Sequence, residues 1–103
     1  MYELAYLPAA KRYFKKIKDK HLKEAMQAAL SEMSDNPYIG EEKTGDLSGI
    51  YGYDVFYNRT NYEIAYRVYE EEGQLVVVIL AGTRKNFYDE LKRYINRHDS
   101  LTL

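Results

Sequence analysis

Apolar residues recur at helical spacing through the first third of the chain. A short tyrosine-rich stretch predicts a strand at residues 2–7. Pro8 then suits the first turn of a helix, because the N–H it lacks would have no partner there. Apolar positions follow three and four residues apart, at Ala10, Tyr13, Phe14 and Ile17 and again at Leu22, Ala25, Met26, Ala29, Leu30 and Met33. This pattern predicts two amphipathic helices joined by a short turn at residues 18–20, a helical hairpin.

From Tyr51 onward the apolar period changes to two, which is typical of strands. The alternating apolar positions are Tyr51, Tyr53, Val55 and Tyr57 and, after a turn "NRTN", Tyr62, Ile64, Tyr66 and Val68. In the next segment, "QLVVVILAG", the residues that would point to either face of a strand are apolar, which predicts a strand covered on both faces. Short connections between these three strands predict an antiparallel meander. The segment before them, residues 34–49, holds Pro37 and three glycines and is predicted to be a loop.

The order of the predicted elements defines the fold class. A last helix over residues 85–95 turns an apolar set inward, namely Phe87, Leu91, Tyr94 and Ile95. The order β-α-α-β-β-β-α predicts an α+β domain in which helices pack on one antiparallel sheet. A chain of 103 residues fits a single domain. We expect it to cover residues 1–96 and to be followed by a frayed tail, 97–103.

Composition narrows the chemistry. The chain carries 15 basic and 16 acidic residues, so any surface that binds nucleic acid must be a local one. The absence of cysteine excludes disulfides and thiolate metal sites. The two histidines form no metal-ligand pattern, and we expect neither a metal nor a cofactor. The sequence shows no membrane span and no signal peptide, which predicts a cytoplasmic protein with no membrane partner.

The junction between the last strand and the last helix carries the candidate chemistry. A guanidinium held at the end of a rigid strand, as at Arg84, can bind a phosphate through two hydrogen bonds. A cation is unfavourable at a helix N-terminus, so a purely stabilising role for Arg84 would need a partner such as Asp89 or Glu90. Tyr88 lies in the first helical turn and points away from the core. It is either a functional ring or a surface residue.

Four sequence blocks in order resemble the RelE/ParE superfamily of toxins from bacterial type II toxin–antitoxin modules. They are "LPAAKRYFKKI", "GDLSGIYGYDV", "NYEIAYRV" and "VVVILAGTRKNFY". The resemblance covers residues 2–95 and implies a compact toxin fold blocked by a cognate antitoxin. It also implies one of two activities. RelE-like members cut mRNA in the ribosomal A site without a metal, by attack of a ribose 2′-hydroxyl on the adjacent phosphate, whereas ParE-like members inhibit DNA gyrase.

The resemblance also implies roles for single residues. Arg84 matches the phosphate-contacting arginine of RNA-cutting members, and Tyr88 matches a tyrosine that stacks on or orients the substrate. Lys43 lies where those members place a lysine or glutamate that acts on the proton. The chain departs from the pattern at Asp54 and Glu63, where RNA-cutting members usually carry cations.

Alternatives stay open at three positions. Asp54 and Glu63 are either an acid–base pair, if the strand register brings them together, or solvent-facing residues paired with Arg59 or Arg67. Lys43 either moves a proton or belongs to a solvated charged loop. The glutamates before it raise the pKa of a lysine, which opposes a role as general base.

A basic stripe on the helical hairpin is the strongest local charge bias. Lys11, Lys15 and Lys18 follow one helical face, and with Lys85 they are candidate RNA-binding residues. The alternatives are a solubilising surface and a docking surface for an acidic antitoxin segment. The function expected from the sequence is a ribosome-dependent mRNA endoribonuclease. Its alternatives are a gyrase inhibitor and an inactive toxin-fold protein that binds the antitoxin.

Overall fold

The computed structural model describes residues 1–71 and 73–97. Of the predicted frayed tail, 97–103, Arg97 is the last residue of the final helix, and residues 98–103 lie outside the described residues. Two short 3₁₀ turns, Pro37–Ile39 and Gly45–Leu47, lie in the predicted loop. The strands and helices in chain order are β1 Glu3–Tyr6, α1 Pro8–Lys16, α2 Lys20–Asp35, β2 Glu41–Glu42, β3 Tyr51–Tyr57, β4 Thr60–Tyr69, β5 Leu75–Thr83 and α3 Phe87–Arg97. The α+β class is confirmed, with three helices packed on one sheet.

The five strands form a single sheet in the order β1-β5-β4-β3-β2. Strands β3, β4 and β5 form the predicted antiparallel meander. The sheet as a whole is mixed, because β1 pairs in parallel with β5 after the helical hairpin crosses over. The two-residue strand β2 pairs with β3 inside the segment predicted to be a loop.

The sheet separates two hydrophobic cores. The helical hairpin covers one face, where Met26 and Met33 pack against Ile64 and Tyr66. Helix α3 covers part of the other face with Phe87, Leu91 and Tyr94, as predicted. Strand β5 contributes residues to both cores, which explains its apolar side chains at both alternations.

A two-residue hairpin turn fixes the register of β3 against β4. Asn58 and Arg59 have φ values of 50° and 64° and join Tyr57 directly to Thr60. Positive φ at both central residues is what a turn of this length requires to match the twist of the strands. The resulting register places Asp54 directly opposite Glu63.

A buried tyrosine anchors the segment between α2 and β3. The Tyr66 hydroxyl donates to the Pro37 carbonyl at 2.7 Å and accepts from the Gly40 N–H at 3.1 Å. Burial raises the pKa of Tyr66 to about 12, so the phenol stays neutral. Further along, the Lys43 N–H donates to the Ile50 carbonyl at 2.8 Å. These hydrogen bonds fix the position of the backbone that carries the Lys43 side chain.

None of the helices in the described part of the chain has the length and apolar character needed to span a bilayer.

Candidate active site

Five side chains from five segments meet on the sheet face that α3 covers. We call them the junction cluster, and they are Lys43 after β2, Asp54 on β3, Glu63 on β4, Arg84 after β5 and Tyr88 on α3. All five are residues that the sequence singled out. The lysines of the hairpin lie elsewhere.

Glu63 lies at the bottom of the junction cluster and is 1% exposed. Its Oε2 accepts a 2.6 Å hydrogen bond from the Tyr88 hydroxyl, and the Lys43 Nζ lies 3.8 Å from the same oxygen. Its Oε1 is buried and has no hydrogen-bond partner among the described residues. Burial, followed by the neighbouring Asp54 carboxylate, raises the pKa of Glu63. The solvent-facing alternative is therefore wrong for this residue.

Gly52 makes room for the buried carboxylate. A Cβ at this position would overlap Glu63 Oε2 and would lie 2.9 Å from Lys43 Cε. Any side chain on β3 at this point would therefore displace both groups. Gly52 was not among the residues selected from the sequence. The available signal was a glycine inside an alternating strand, which often marks the close approach of another group.

Lys43 is part of the junction cluster and not of a solvated loop. Its side chain is only 15% exposed, and its Nζ lies 2.9 Å from Glu41 and 4.9 Å from the centre of the Tyr88 ring. Partial burial lowers the pKa of Lys43, but its interactions with Tyr88 and Glu41 outweigh burial and raise it. The amine is thus an ammonium at neutral pH, in agreement with the expected influence of its acidic neighbours.

Arg84 contacts carboxylates on the sheet and not those of its own helix. Its Nη1 lies 3.4 Å from Asp54 Oδ2, and its Nε lies 3.9 Å from Glu63 Oε1. The backbone N–H of Arg84 donates to the Asn61 carbonyl at 2.9 Å, which fixes the start of the turn into α3. The side chain is 48% exposed. A solvated ion pair of this kind contributes little to stability.

Asp54 and Glu63 differ in environment although they face each other across β3 and β4. The Asp54 side chain is about half exposed, and the ion pair that the structure describes for it is with Arg84, not with Arg59 or Arg67. Two neighbouring carboxylates, one solvated and one buried, favour protonation of the buried one. The strand register thus brings the two carboxylates together, which is the condition that the acid–base alternative required.

Tyr88 connects the buried and exposed parts of the junction cluster. Its ring is half-buried and packs edge-on against Phe87 at a centroid distance of 5.5 Å. Burial and the bond to Glu63 raise the pKa of the phenol. The ring is therefore a constrained part of the site and not a free surface residue.

The candidate RNA-binding lysines divide between two regions. Lys85 is exposed and follows Arg84 directly. Lys11 and Lys15 line a cavity of about 380 Å³ between α1 and α2, and Lys18 is exposed in the turn between these helices. The floor of that cavity includes Met26 and Leu30, which belong to the core on the opposite face of the sheet. The structure therefore brings only Lys85 near the junction cluster.

Residues 4–92 match the family described as the ParE-like toxin of type II bacterial toxin–antitoxin systems. The chain belongs to this family. The resemblance to RelE/ParE toxins is thereby confirmed, and the protein is a toxin of the type II class. A search of curated proteins gave no match.

Solved structures of RelE toxins share the fold. A mutant of E. coli toxin RelE in the free state superposes with a TM-score of 0.70 at 21% identity, over 93% of this chain and 96% of that one. The toxin–antitoxin complex RelBE of E. coli gives 0.64 at 23% identity, over 80% and 95%. RelBE2 of Mycobacterium tuberculosis gives 0.60 at 23% identity, over 81% and 98%. At these identities the likeness supports the fold alone.

Proposed function

We propose that this toxin is a metal-independent mRNA endoribonuclease that acts on translating ribosomes and is neutralised by a cognate antitoxin. The observation that carries the proposal is the convergence of Arg84, Tyr88 and Lys43 from three separate segments. Phosphoryl transfer depends on positioning and on positive charge around the phosphate. A half-exposed guanidinium, a fixed phenol and an ammonium supply both.

Each of these residues has a role that fits its surroundings. Arg84 binds the phosphate that is cut, because its guanidinium is half-exposed and its described contacts with carboxylates are long, 3.4 Å to Asp54 and 3.9 Å to Glu63. Tyr88 orients the nucleotide. Lys43 donates a proton to the leaving 5′-oxygen, because its ammonium form is favoured.

The lysines outside the junction cluster serve binding. Lys85 is next to Arg84 and would contact an mRNA phosphate beside the one that is cut. Lys11, Lys15 and Lys18 face away from that site, so in this proposal they contact ribosomal RNA. The similar RelBE structures hold toxin together with antitoxin, which supports a cognate antitoxin as the partner that blocks this protein.

A second candidate is inhibition of DNA gyrase without RNA cleavage. The carboxylates of Asp54 and Glu63 favour it, because they lie near Arg84 and oppose a phosphate there. A supercoiling assay decides this point. If micromolar toxin inhibited gyrase in this assay, and if mRNA stayed intact in cells that express the toxin, gyrase inhibition would replace the nuclease proposal.

Controlled expression in bacteria tests the nuclease proposal. We expect growth to stop and the 5′ ends of translated mRNA to appear in phase with codons, while Arg84→Ala neither stops growth nor produces these ends. Arg93→Ala, an exposed arginine on α3, is the matched control and should behave as the wild type. Growth arrest without phased cleavage, or equal arrest by Arg84→Ala, would overturn the mechanism. Unimpeded growth would indicate an inactive, antitoxin-binding protein.

A further inference from the structure

We propose, on the basis of the nuclease function above, that Glu63 is the proton acceptor of the reaction and acts through Tyr88. Glu63 is too deeply buried to touch RNA, so it serves as a positioning and relay residue and not as a catalytic one. Lys43 completes the relay by lying against both groups.

The direction of one hydrogen bond determines what Tyr88 offers to a substrate. The phenol hydrogen is directed at Glu63 Oε2 at 2.6 Å, a short distance typical of a bond to a carboxylate. Lys43 also donates a hydrogen bond to the Tyr88 oxygen, which leaves one lone pair of that oxygen as an acceptor for a substrate. A ribose 2′-hydroxyl placed beside the ring by Arg84 would therefore donate its hydrogen to Tyr88.

The buried carboxylate is suited to receive a proton. Its Oε1 lies 3.9 Å from Arg84 Nε and has no hydrogen-bond partner among the described residues, and a buried carboxylate oxygen without a hydrogen bond is costly. The charged groups that face Glu63 come from every surrounding segment and are Asp54, Lys43 and Arg84, together with the Tyr88 phenol. Burial and Asp54 make the carboxylate more basic than an ordinary glutamate, so the geometry and the electrostatics agree.

The proposed step balances without a further reactant. The 2′-hydroxyl proton passes to the Tyr88 oxygen as the phenol proton passes to Glu63 Oε2, and the 2′-oxygen forms a bond to phosphorus. The bond from phosphorus to the 5′-oxygen breaks, and that oxygen takes a proton from Lys43 Nζ. The products are a 2′,3′-cyclic phosphate and a 5′-hydroxyl. Glu63 then returns its proton to the neutral amine of Lys43, 3.8 Å away, which regenerates the site.

Single-turnover cleavage of ribosome-bound mRNA, measured against pH, tests the relay. The wild-type rate should fall toward acidic pH, because protonated Glu63 cannot accept a proton. Glu63→Gln keeps an acceptor for Tyr88 but cannot take the proton. We expect its rate to be lower by about 10²- to 10⁴-fold, with no remaining acidic fall, while its binding to ribosomes is unchanged.

Circular dichroism shows whether Glu63→Gln folds. A second variant tests the relay without depending on that result. Asp54→Asn removes the neighbouring carboxylate that raises the pKa of Glu63, so the acidic fall should move to lower pH. The relay would be overturned if Glu63→Gln cleaved RNA at the rate and with the pH profile of the wild type. It would also be overturned if the acidic fall of Asp54→Asn lay at the same pH as that of the wild type. Either result would leave the nuclease function unaffected. A wild-type protein that cuts no RNA would overturn both.

Discussion

At the scale of single residues, the buried carboxylate of Glu63 opposes stability. Glu63 is buried with one oxygen that has no hydrogen-bond partner among the described residues, and its folded-state pKa lies above the ordinary value of 4.5. The ordinary value also applies to Glu63 in the unfolded chain. At a pH between the unfolded-state and folded-state pKa values, the folded protein therefore binds more protons than the unfolded chain. The free energy of unfolding therefore falls as pH rises through the folded-state pKa of Glu63, and the loss is complete above it.

Replacement of this carboxylate should stabilise the protein. We expect Glu63→Gln to melt a few degrees above the wild type at pH 8 and to match it near pH 4, in thermal unfolding followed by circular dichroism. Glu90→Gln, an exposed position on α3, is the control and should show no such divergence. A Glu63→Gln protein that melts below the wild type at pH 8 would mean that pairing with Lys43 and Arg84 outweighs burial.

Gly52 offers a test of the space around the carboxylate. Because a Cβ there would overlap Glu63 Oε2 and crowd Lys43, Gly52→Ala should destabilise the protein by about 1–3 kcal/mol. It should also lower RNA cleavage at least tenfold. Gly82→Ala on β5 is a matched control, since its Cβ would meet only Phe87 at an ordinary 3.9 Å. Equal activity in both variants would show that the position of Glu63 does not matter.

The site could be predicted from the sequence only in part. Arg84, Tyr88 and Lys43 could be selected because a strand–helix junction and a family resemblance point to them. The burial of Glu63 could not be predicted, because alternation gives the face of a side chain but not what covers it. That depends on α3 packing over β4 and on the glycine at position 52.

At the scale of elements, the segment between α2 and β3 positions Lys43. Its backbone is tied to β4 by the Tyr66 hydroxyl, which bonds both Pro37 and Gly40. A stable sheet thus supports a loop that has little regular structure of its own.

Removing this one hydroxyl should loosen the loop. Tyr66→Phe leaves the Pro37 carbonyl and the Gly40 N–H without their partner, which should cost about 1–3 kcal/mol in chemical denaturation. RNA cleavage should fall as well, because Lys43 loses its support. Tyr53→Phe, which removes an exposed bond to Glu32, should cost less. A Tyr66→Phe protein as stable as Tyr53→Phe would contradict this role.

Most elements could be predicted because their periodicity is local. Both hairpin helices, the three long strands and the inward face of α3 agree with the pattern of apolar residues. The pairing partner of β1 is set by the crossover and not by its own four residues, and β2 is too short for any alternation to appear. The helix α3 begins at Phe87, two residues after its predicted start.

At the scale of the whole molecule, charge is divided between two surfaces. The net charge is −1, yet Lys11, Lys15 and Lys18 concentrate positive charge on the hairpin. The junction cluster lies across the sheet and mixes cations with carboxylates. In the proposed function, attraction to RNA and cleavage of RNA would therefore be carried by different surfaces.

Salt dependence tests this separation. Replacing Lys11, Lys15 and Lys18 together by glutamine should reduce the slope of log affinity for ribosomes against log salt by about 0.7–0.9 for each phosphate that the variant no longer binds. The single-turnover rate at saturating ribosomes should not change. Lys92→Gln, exposed on α3, is the control. An unchanged slope would exclude the hairpin lysines from RNA binding.

The central claim is that the junction cluster cuts RNA, and the most direct measurement is cleavage of a defined mRNA on purified ribosomes by purified toxin. We predict cleavage within the A-site codon that leaves a 2′,3′-cyclic phosphate, and a rate about 10²- to 10³-fold lower for Arg84→Ala. An uncut mRNA, or equal rates for the wild type and Arg84→Ala, would contradict this claim.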